Sequence, residues 1–528
     1  MSVTASAPTV ERRPAEPSGD RPTAPIWARG WVWAALALLA TAPFWFVSIP
    51  PLPDFPGHLG RYHVMLHLGR SPDLARFYDF HWALVGNLGA DLAMLGLGPL
   101  LGDERAAWLI AAVTPGLMVL GIFATSRAVH GRVPATSFLA LPFVYANAFE
   151  WGFLNYDLAV ALMLLAFALW VSLRSRAWLR AGLFIPLSFG LWVCHAEAWG
   201  LFGLFVGGYE AQQAISQHGW RVKALRQVAL RVWPAAPPIA LCLTMLAPSQ
   251  TPYEVTAAFA GWLPGIVGYK AFELSNVLHD RRLVLDAASM LAIAGLYIFA
   301  RSRGARFEAA LAAPAALVGA AVILMPPIAA GSALADYRLA PMALIALLLS
   351  IRLPANSGSG SGLIVATALG ITIVRLTATA IGWREDDGAY ARHLTALNQV
   401  PAGSRILVLT PGYSMSPWKY GTRPLSHLGD LAIVRRDALV NSQWTAAGAQ
   451  LLTVKGNADI AYHIDPSQFI AAGTVDRVIA AAPLDHFDFV WVLGRDPSAA
   501  RVQRLQTVYA DEETRMFKVP PNWASPAR

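Results

Sequence analysis

Cysteine, charge and the common catalytic signatures are all scarce in this chain. Only two of its 528 residues are cysteine. Cys194 and Cys242 both fall in apolar runs, which leaves no disulfide framework and no thiolate set for a metal. Charged residues make up 14% of the chain against 55% hydrophobic, and the mean hydropathy is +0.45, whereas a soluble domain carries about 25% charged residues. There is no G-x-x-x-x-G-K-[ST] loop, no H-E-x-x-H and no paired C-x-x-C, so Walker-type ATP hydrolysis, zincin chemistry and zinc ribbons lack support. The Gly358 to Gly362 stretch is a Ser/Gly linker, not a nucleotide loop, and no repeat of fixed period is present.

What is abundant is apolar sequence in runs long enough to cross a ~30 Å hydrocarbon core, beginning at Trp31 to Ile49. The chain is read as a polytopic membrane protein. Residues 1–30 carry four Arg and five Pro and no apolar face, as expected of a disordered cytoplasmic tail, and no small-residue cleavage site follows the first run. The formal net charge of +8 is not gathered on one surface, which argues against a nucleic-acid partner. The arginines cluster in short loops at 127–132, 174–180, 221–231, 301–306 and 352, and such loops stay cytoplasmic. Placing all of them inside gives about eleven crossings, near 31–49, 107–126, 134–149, 157–173, 179–194, 197–213, 230–247, 284–300, 307–326, 338–352 and 363–382. Trp82 to Leu101 holds Asn87 and Asp91, and an ionised Asp at bilayer centre costs at least ~2.5 kcal/mol. It is therefore expected to lie in the outer interface or re-enter it, as is 255–267.

An odd number of crossings puts the C-terminus outside, in the periplasm of a bacterial inner membrane. The expected fold is an all-α polytopic bundle of about eleven transmembrane helices over residues 31–383, with a first outer loop at 50–106. A C-terminal α/β extracytoplasmic domain follows at 384–528. Within it, 405–410 and 487–493 read as buried strands, and 505–510 with 515–519 as a hairpin around Asp511, Glu512 and Glu513.

The residue pattern richest in chemistry follows the first span, where Pro50, Pro51, Pro53 and Pro56 frame Asp54, and His58, Arg61 and His63 come next. Prolines fix φ and deny helix to the residue before them, so Asp54 is expected on a stiff loop at the membrane surface. The same orientation places Glu150, Asn155 and Asp157, then His195 and Glu197, Lys270 and Glu273, and Asp336, Tyr337 and Arg338 at outer span ends. For several of these a plain reading stands beside the functional one: Arg338 as an interfacial anchor, Glu197 as a partner of His195, Asp157 as a helix cap.

In its order of parts, a tail, one span, an outer loop with an acid at its start, interfacial helices, ten further spans and an outer domain, the chain resembles the C-type (GT-C) membrane glycosyltransferases. That class includes protein O-mannosyltransferases and aminoarabinose transferases. Asp54 matches the family's first-loop acid, while Phe55 stands where a second acid is common; Glu104-Arg105-Ala106-Ala107 and Gly152-Phe153-Leu154-Asn155-Tyr156 are similar to family stretches. The resemblance implies inverting transfer of a sugar from a polyprenyl-phosphate or diphosphate donor to a glycan, lipid or protein acceptor on the outer face. On that reading Asp54 is the catalytic base. Arg338, with Arg61 or Lys270, clamps the lipid phosphate, and His58, His63, His195, Glu197, Asp336 and Tyr337 complete substrate binding. The replaced second acid speaks against a metal held by an acid pair; no cofactor is assigned, and a divalent cation is left open. The rival readings are a secondary transporter, which places ionisable groups at mid-membrane, and a non-catalytic assembly or sensor protein of envelope polysaccharide biogenesis.

Overall fold

The structure, a computed structural model, describes residues 25–245, 262–329, 332–354, 358–412, 425–444, 451–455 and 469–523. The tail expected at 1–30 lies outside the described residues up to residue 24, as does most of 255–267. Among the described residues five helices are long and apolar enough to cross a membrane. They are α5 (Asp103–His130), α7 (Leu154–Ser172), α8 (Ala177–Cys194), α13 (Leu283–Ser302) and α16 (Gly358–Leu394). The span expected at 197–213 is also one continuous helix, Ala196–His218, of more polar composition, while the remaining expected spans are shorter or broken, and the described residues do not give eleven full-length helices.

Proline accounts for the breaks. The first run forms α1 (Gly30–Ala40), then a 3-10 turn over Ala42–Phe46 that contains Pro43. The run expected at 134–149 is a 3-10 segment, Ala135–Tyr145, with Pro142 inside it, followed by the short α6 (Asn147–Trp151). Every residue of that segment is buried, so its backbone polar groups lie inside protein rather than in lipid, where irregular backbone is tolerated. The run at 230–247 is cut at Pro234, Pro237 and Pro238 into a 3-10 turn and α11 (Ile239–Met245). The opposite happens at the last span. Helix α16 starts within the Ser/Gly linker and runs through the expected domain boundary at 384 to Leu394. Its C-terminal end is bolted down: the Asp387 carboxylate accepts from the Ser48 hydroxyl at 2.9 Å and the Ile49 amide at 2.9 Å, and Asp386 pairs with Arg281 at 2.5 Å.

The loop after the first run supplies α2 (Phe55–His67), α3 (Pro72–Phe77), a short strand at Tyr78–Phe80 and α4 (Gly89–Leu101). The polar run that is costly to insert is α4 with the segment before it, held by one buried knot. Arg61 Nη2 donates to Asp91 at 2.9 Å, Asn155 Nδ2 donates to Asp91 at 3.1 Å and to the Asn87 carbonyl at 2.8 Å, and the Ala90 amide donates to Asn155. Arg61 and Asp91 are 2% and 1% exposed, so removing one partner strands a buried charge. Arg61→Ala is expected to destabilise the fold by about 3–5 kcal/mol, read as a lower thermal midpoint in detergent, with turnover per folded molecule kept. An unshifted midpoint with lost turnover places Arg61 in the chemistry instead.

The C-terminal sheet runs in the order Gln506–Ala510, Thr514–Lys518, Phe489–Leu493, Arg405–Pro411, Leu439–Val440. The first two strands are the antiparallel hairpin, and the last three pair in parallel. Parallel strands covered on both faces read as continuous apolar runs, which is how Arg405–Pro411 reads. Leu407 and Leu409 face a cluster with Ile479 and Leu484. Ile406 and Val408 join the same core as Phe55 and Leu59 of the first outer loop. The strand Tyr78–Phe80 also pairs with Leu452–Val454, and Arg435 reaches Glu104 at the start of α5 at 3.1 Å. Domain and loop thus share one hydrophobic core.

Candidate active site

Asp54 owes its position to backbone chemistry. It precedes the first residue of α2, with Pro56 in the first turn; its amide donates to the Trp151 carbonyl at 3.0 Å, and its carbonyl accepts the His58 amide at 3.0 Å. The turn that holds it needs a glycine: Gly152 has φ +86°, and a Cβ there falls 2.9 Å from Leu52 Cβ and 3.5 Å from the Asp54 nitrogen. The Asp54 side chain itself is half-buried, and its carboxylate accepts no hydrogen bond among the described residues. Burial raises its pKa to about 6, while the nearby His427 and Arg338 charges pull the other way.

Arg338 faces this carboxylate from the first turn of α15 (Ala335–Leu349). Its guanidinium lies 4.0 Å from the Phe153 ring centroid and 5.9 Å from that of Tyr156, and Nη1 is 3.5 Å from Glu197 Oε2. The Tyr156 hydroxyl donates to the Arg338 carbonyl at 2.6 Å. Asp157, His195 and His58 are within electrostatic reach of the same guanidinium, and Asp157 and Arg338 line one small cavity of about 20 Å³. His195 sits edge-on to Tyr156 at 5.3 Å, with Nδ1 buried and unpartnered among the described residues. Glu197 begins α9 (Ala196–His218).

Lys270 lies on α12 (Trp262–Ser275). It pairs with Asp336 and, at 3.2 Å, with Glu273, and donates to the Met325 carbonyl at 3.1 Å. Asp336 is fully buried and accepts from the Tyr337 amide at 2.9 Å. Lys270 therefore serves Asp336 and Glu273 together, and Asp336 is within electrostatic reach of Glu197. Asp54, His58, His195, Glu197 and Arg338 are brought together. Arg61 is bound to Asp91 and stays within electrostatic reach of His58, while His63 is bound between Asp103 and Asp437.

Two residues of the site were not expected from the sequence. His427 has φ +55°, lies 3.6 Å from Asp430, and donates from Nδ1 to the Ser442 carbonyl at 3.2 Å. Burial alone pushes this imidazole down, but Asp430 and Asp54 outweigh it and hold it above its ordinary value. His58, with no such partner, is held well below its ordinary value by burial and by the cations around it. Trp444 packs 4.1 Å from the His427 ring and 5.4 Å from His58. It lies so close to α2 that a Cβ on Gly57 falls 2.5 Å from its ring. The only local signal was the His427/Asp430 spacing, which is too common to assign.

The chain is similar in structure to ArnT from Cupriavidus metallidurans. The ArnT crystal structure bound to undecaprenyl phosphate aligns with 94% of this chain and 99% of its own at 12% identity and TM-score 0.46. The apo structure aligns over the same shares at 14% identity and TM-score 0.47. No protein-family model and no curated protein matches the chain. At these values the likeness assigns no reaction, and the chemistry has to be derived from this chain's own side chains.

Proposed function

We propose that this chain is a membrane glycosyltransferase that moves a sugar from a polyprenyl-phosphate, or diphosphate, donor to a glycan, lipid or protein acceptor at the outer membrane face. The observation that carries this reading is the half-buried Asp54 carboxylate, free of hydrogen bonds among the described residues, with a pKa near 6 and a buried arginine in electrostatic reach. A base is most effective when its pKa lies near the working pH, and a guanidinium presents donors that match phosphate oxygens. In the proposed step the acceptor hydroxyl oxygen forms a bond to the anomeric carbon and its proton passes to Asp54. The bond from that carbon to the phosphate oxygen breaks with its electron pair, and the lipid phosphate leaves. The negative charge growing on the leaving oxygen is met by Arg338, fixed over Phe153 and Tyr156. Base and clamp on opposite sides of one carbon give inversion.

The C-terminal domain closes this region by laying His427 and Trp444 over α2. We assign residues 1–30 to a cytoplasmic tail, 31–383 to the transferase bundle and 384–528 to the periplasmic domain, which α16 enters as a continuous helix to Leu394, in a bacterial inner membrane with the N-terminus inside. Clustering of the ionisable groups around the first outer loop, rather than on broken helices at mid-membrane, favours this reading over a transporter. Alkaline phosphatase fused after residue 528 is expected to be active, because the Arg-rich loops are all internal only with an odd number of crossings. A β-galactosidase fusion active at the same place would refute the outer location of the site.

A further inference from the structure

Helix α2 carries two histidines four residues apart, His63 and His67, and such spacing puts both rings on one helical face. Their centroids are 4.6 Å apart. The start of α5 brings Asp103 to both. Its Oδ2 is 2.6 Å from His63 Nδ1 and 3.0 Å from His67 Nε2, and Oδ1 is 3.2 Å from the latter. One donor atom from each of the three residues lies within 4.8 Å of the others.

We propose that His63 Nδ1, His67 Nε2 and the Asp103 carboxylate bind a divalent cation of the zinc type. Zinc takes imidazole nitrogen and carboxylate oxygen at about 2.0–2.2 Å, which in a tetrahedron sets neighbouring donors about 3.3 Å apart. The His67–Asp103 separation of 3.0 Å is close to that value, the His63–Asp103 separation of 2.6 Å opens by about 0.7 Å to reach it, and the two nitrogens lie within 4.8 Å of each other. Mg²⁺ and Ca²⁺ take oxygen donors instead, so a set with two nitrogens selects a borderline metal such as zinc.

A second observation points the same way. His63 turns its other nitrogen, Nε2, to Asp437 Oδ1 at 2.8 Å, and Asp437 Oδ2 accepts from the Ser71 hydroxyl at 2.6 Å. A carboxylate behind the second nitrogen is what fixes tautomer and ring orientation in a metal-bound histidine. Asp437 holds this place with φ +48°, outside the usual range for a residue with a side chain. Asp103 and Asp437 together supply the two negative charges that balance the ion. The His67 side chain is 38% exposed, against 11% for His63 and 9% for Asp103, so the cation enters, and keeps its fourth position, on the His67 side.

The consequence is mechanical. Helix α2 has Asp54 at its N-terminal end, and Asp437 belongs to the domain that supplies His427 and Trp444. An ion at His63 therefore stiffens the joint that sets one against the other. The binding claim itself does not depend on the proposed transfer reaction.

The test uses full-length protein in detergent, with any affinity tag removed, stripped with EDTA, given ZnCl₂ and desalted. Wild type is expected to retain about one zinc per chain and to unfold at a higher temperature than the stripped form. His67→Ala, at a half-exposed position that leaves the His63–Asp437 contact in place, is expected to bind zinc at least tenfold more weakly while staying monodisperse. Asp437→Asn is expected to weaken binding by ~10- to 100-fold, the range for lost outer-shell partners. No zinc retained by wild type marks an ion-pair joint only and overturns the proposal. Equal retention by wild type and His67→Ala overturns it as well.

Discussion

Asp54→Asn keeps the size and shape of the side chain but removes the proton acceptor, and transfer is expected to fall by ~10² to 10⁴, the range for lost general-base catalysis. Donor binding and protein level are expected to persist. The variant also makes a stability prediction whose sign separates a catalytic carboxylate from a structural one. Burial raises the folded-state pKa from 3.8 to about 6, so the folded protein binds this proton more tightly than the unfolded chain does. The stabilisation linked to protonation is fully present below pH 3.8 and is lost as pH rises through about 6. Above that point wild type carries a partly desolvated anion, which His427 and Arg338 offset only in part and which the Asn variant lacks. Asp54→Asn is therefore expected to melt higher than wild type at pH 8 and to converge with it near pH 4, read by thermal unfolding at both pH values. A structural carboxylate predicts the reverse, a variant that melts lower at pH 8. Wild-type turnover is expected to fall on the acid side with a midpoint near pH 6, where Asp54 takes up its proton.

Arg338→Ala ranks second in expected effect. The guanidinium over Phe153 is the cation that Asp54, Asp157 and Glu197 share. In the proposed mechanism its loss removes the charge opposite the leaving phosphate, and turnover is expected to fall by ~10² to 10³, by analogy with a lost transition-state donor. It also removes one of the two charges that favour ionised Asp54, so the acid limb of any residual activity moves to higher pH. Arg338→Lys keeps the charge without the planar fork or the stacked ring, and only partial recovery is expected. An alanine variant with wild-type turnover and an unmoved acid limb shows that Arg338 is an interfacial anchor and takes no part in transfer.

How much of the fold and the site was legible in the sequence depends on range. The Asp54 loop could be read because its cause is local: four prolines within seven positions leave little conformational choice. The strands of the C-terminal domain were legible because both faces of Arg405–Pro411 and Phe489–Leu493 are covered, which leaves apolar runs with no helical period. The segment at Ala135–Tyr145 had helical composition but folds as a buried 3-10 run, since tertiary packing decided its backbone. The pairing of Arg61 with Asp91, 30 residues on, could not be read from the sequence because it forms only when α4 docks. His427 and Trp444 reach the site across more than 350 residues of chain, and no spacing rule operates at that distance.

The central claim, that Asp54 drives consumption of a lipid-linked sugar donor at the outer face, is tested most directly in cells, where the acceptor need not be known. Lipid extracts and envelope glycans are compared by mass spectrometry in a strain lacking the chain and complemented with wild type, Asp54→Asn or empty vector, the two proteins being expressed to equal levels. The expected result is that the Asn strain matches the empty vector: one polyprenyl-phosphate or diphosphate sugar accumulates, and one envelope glycan loses the corresponding sugar. An Asn strain indistinguishable from wild type in both pools, while the empty vector differs, contradicts the assignment of Asp54 and the mechanism built on it.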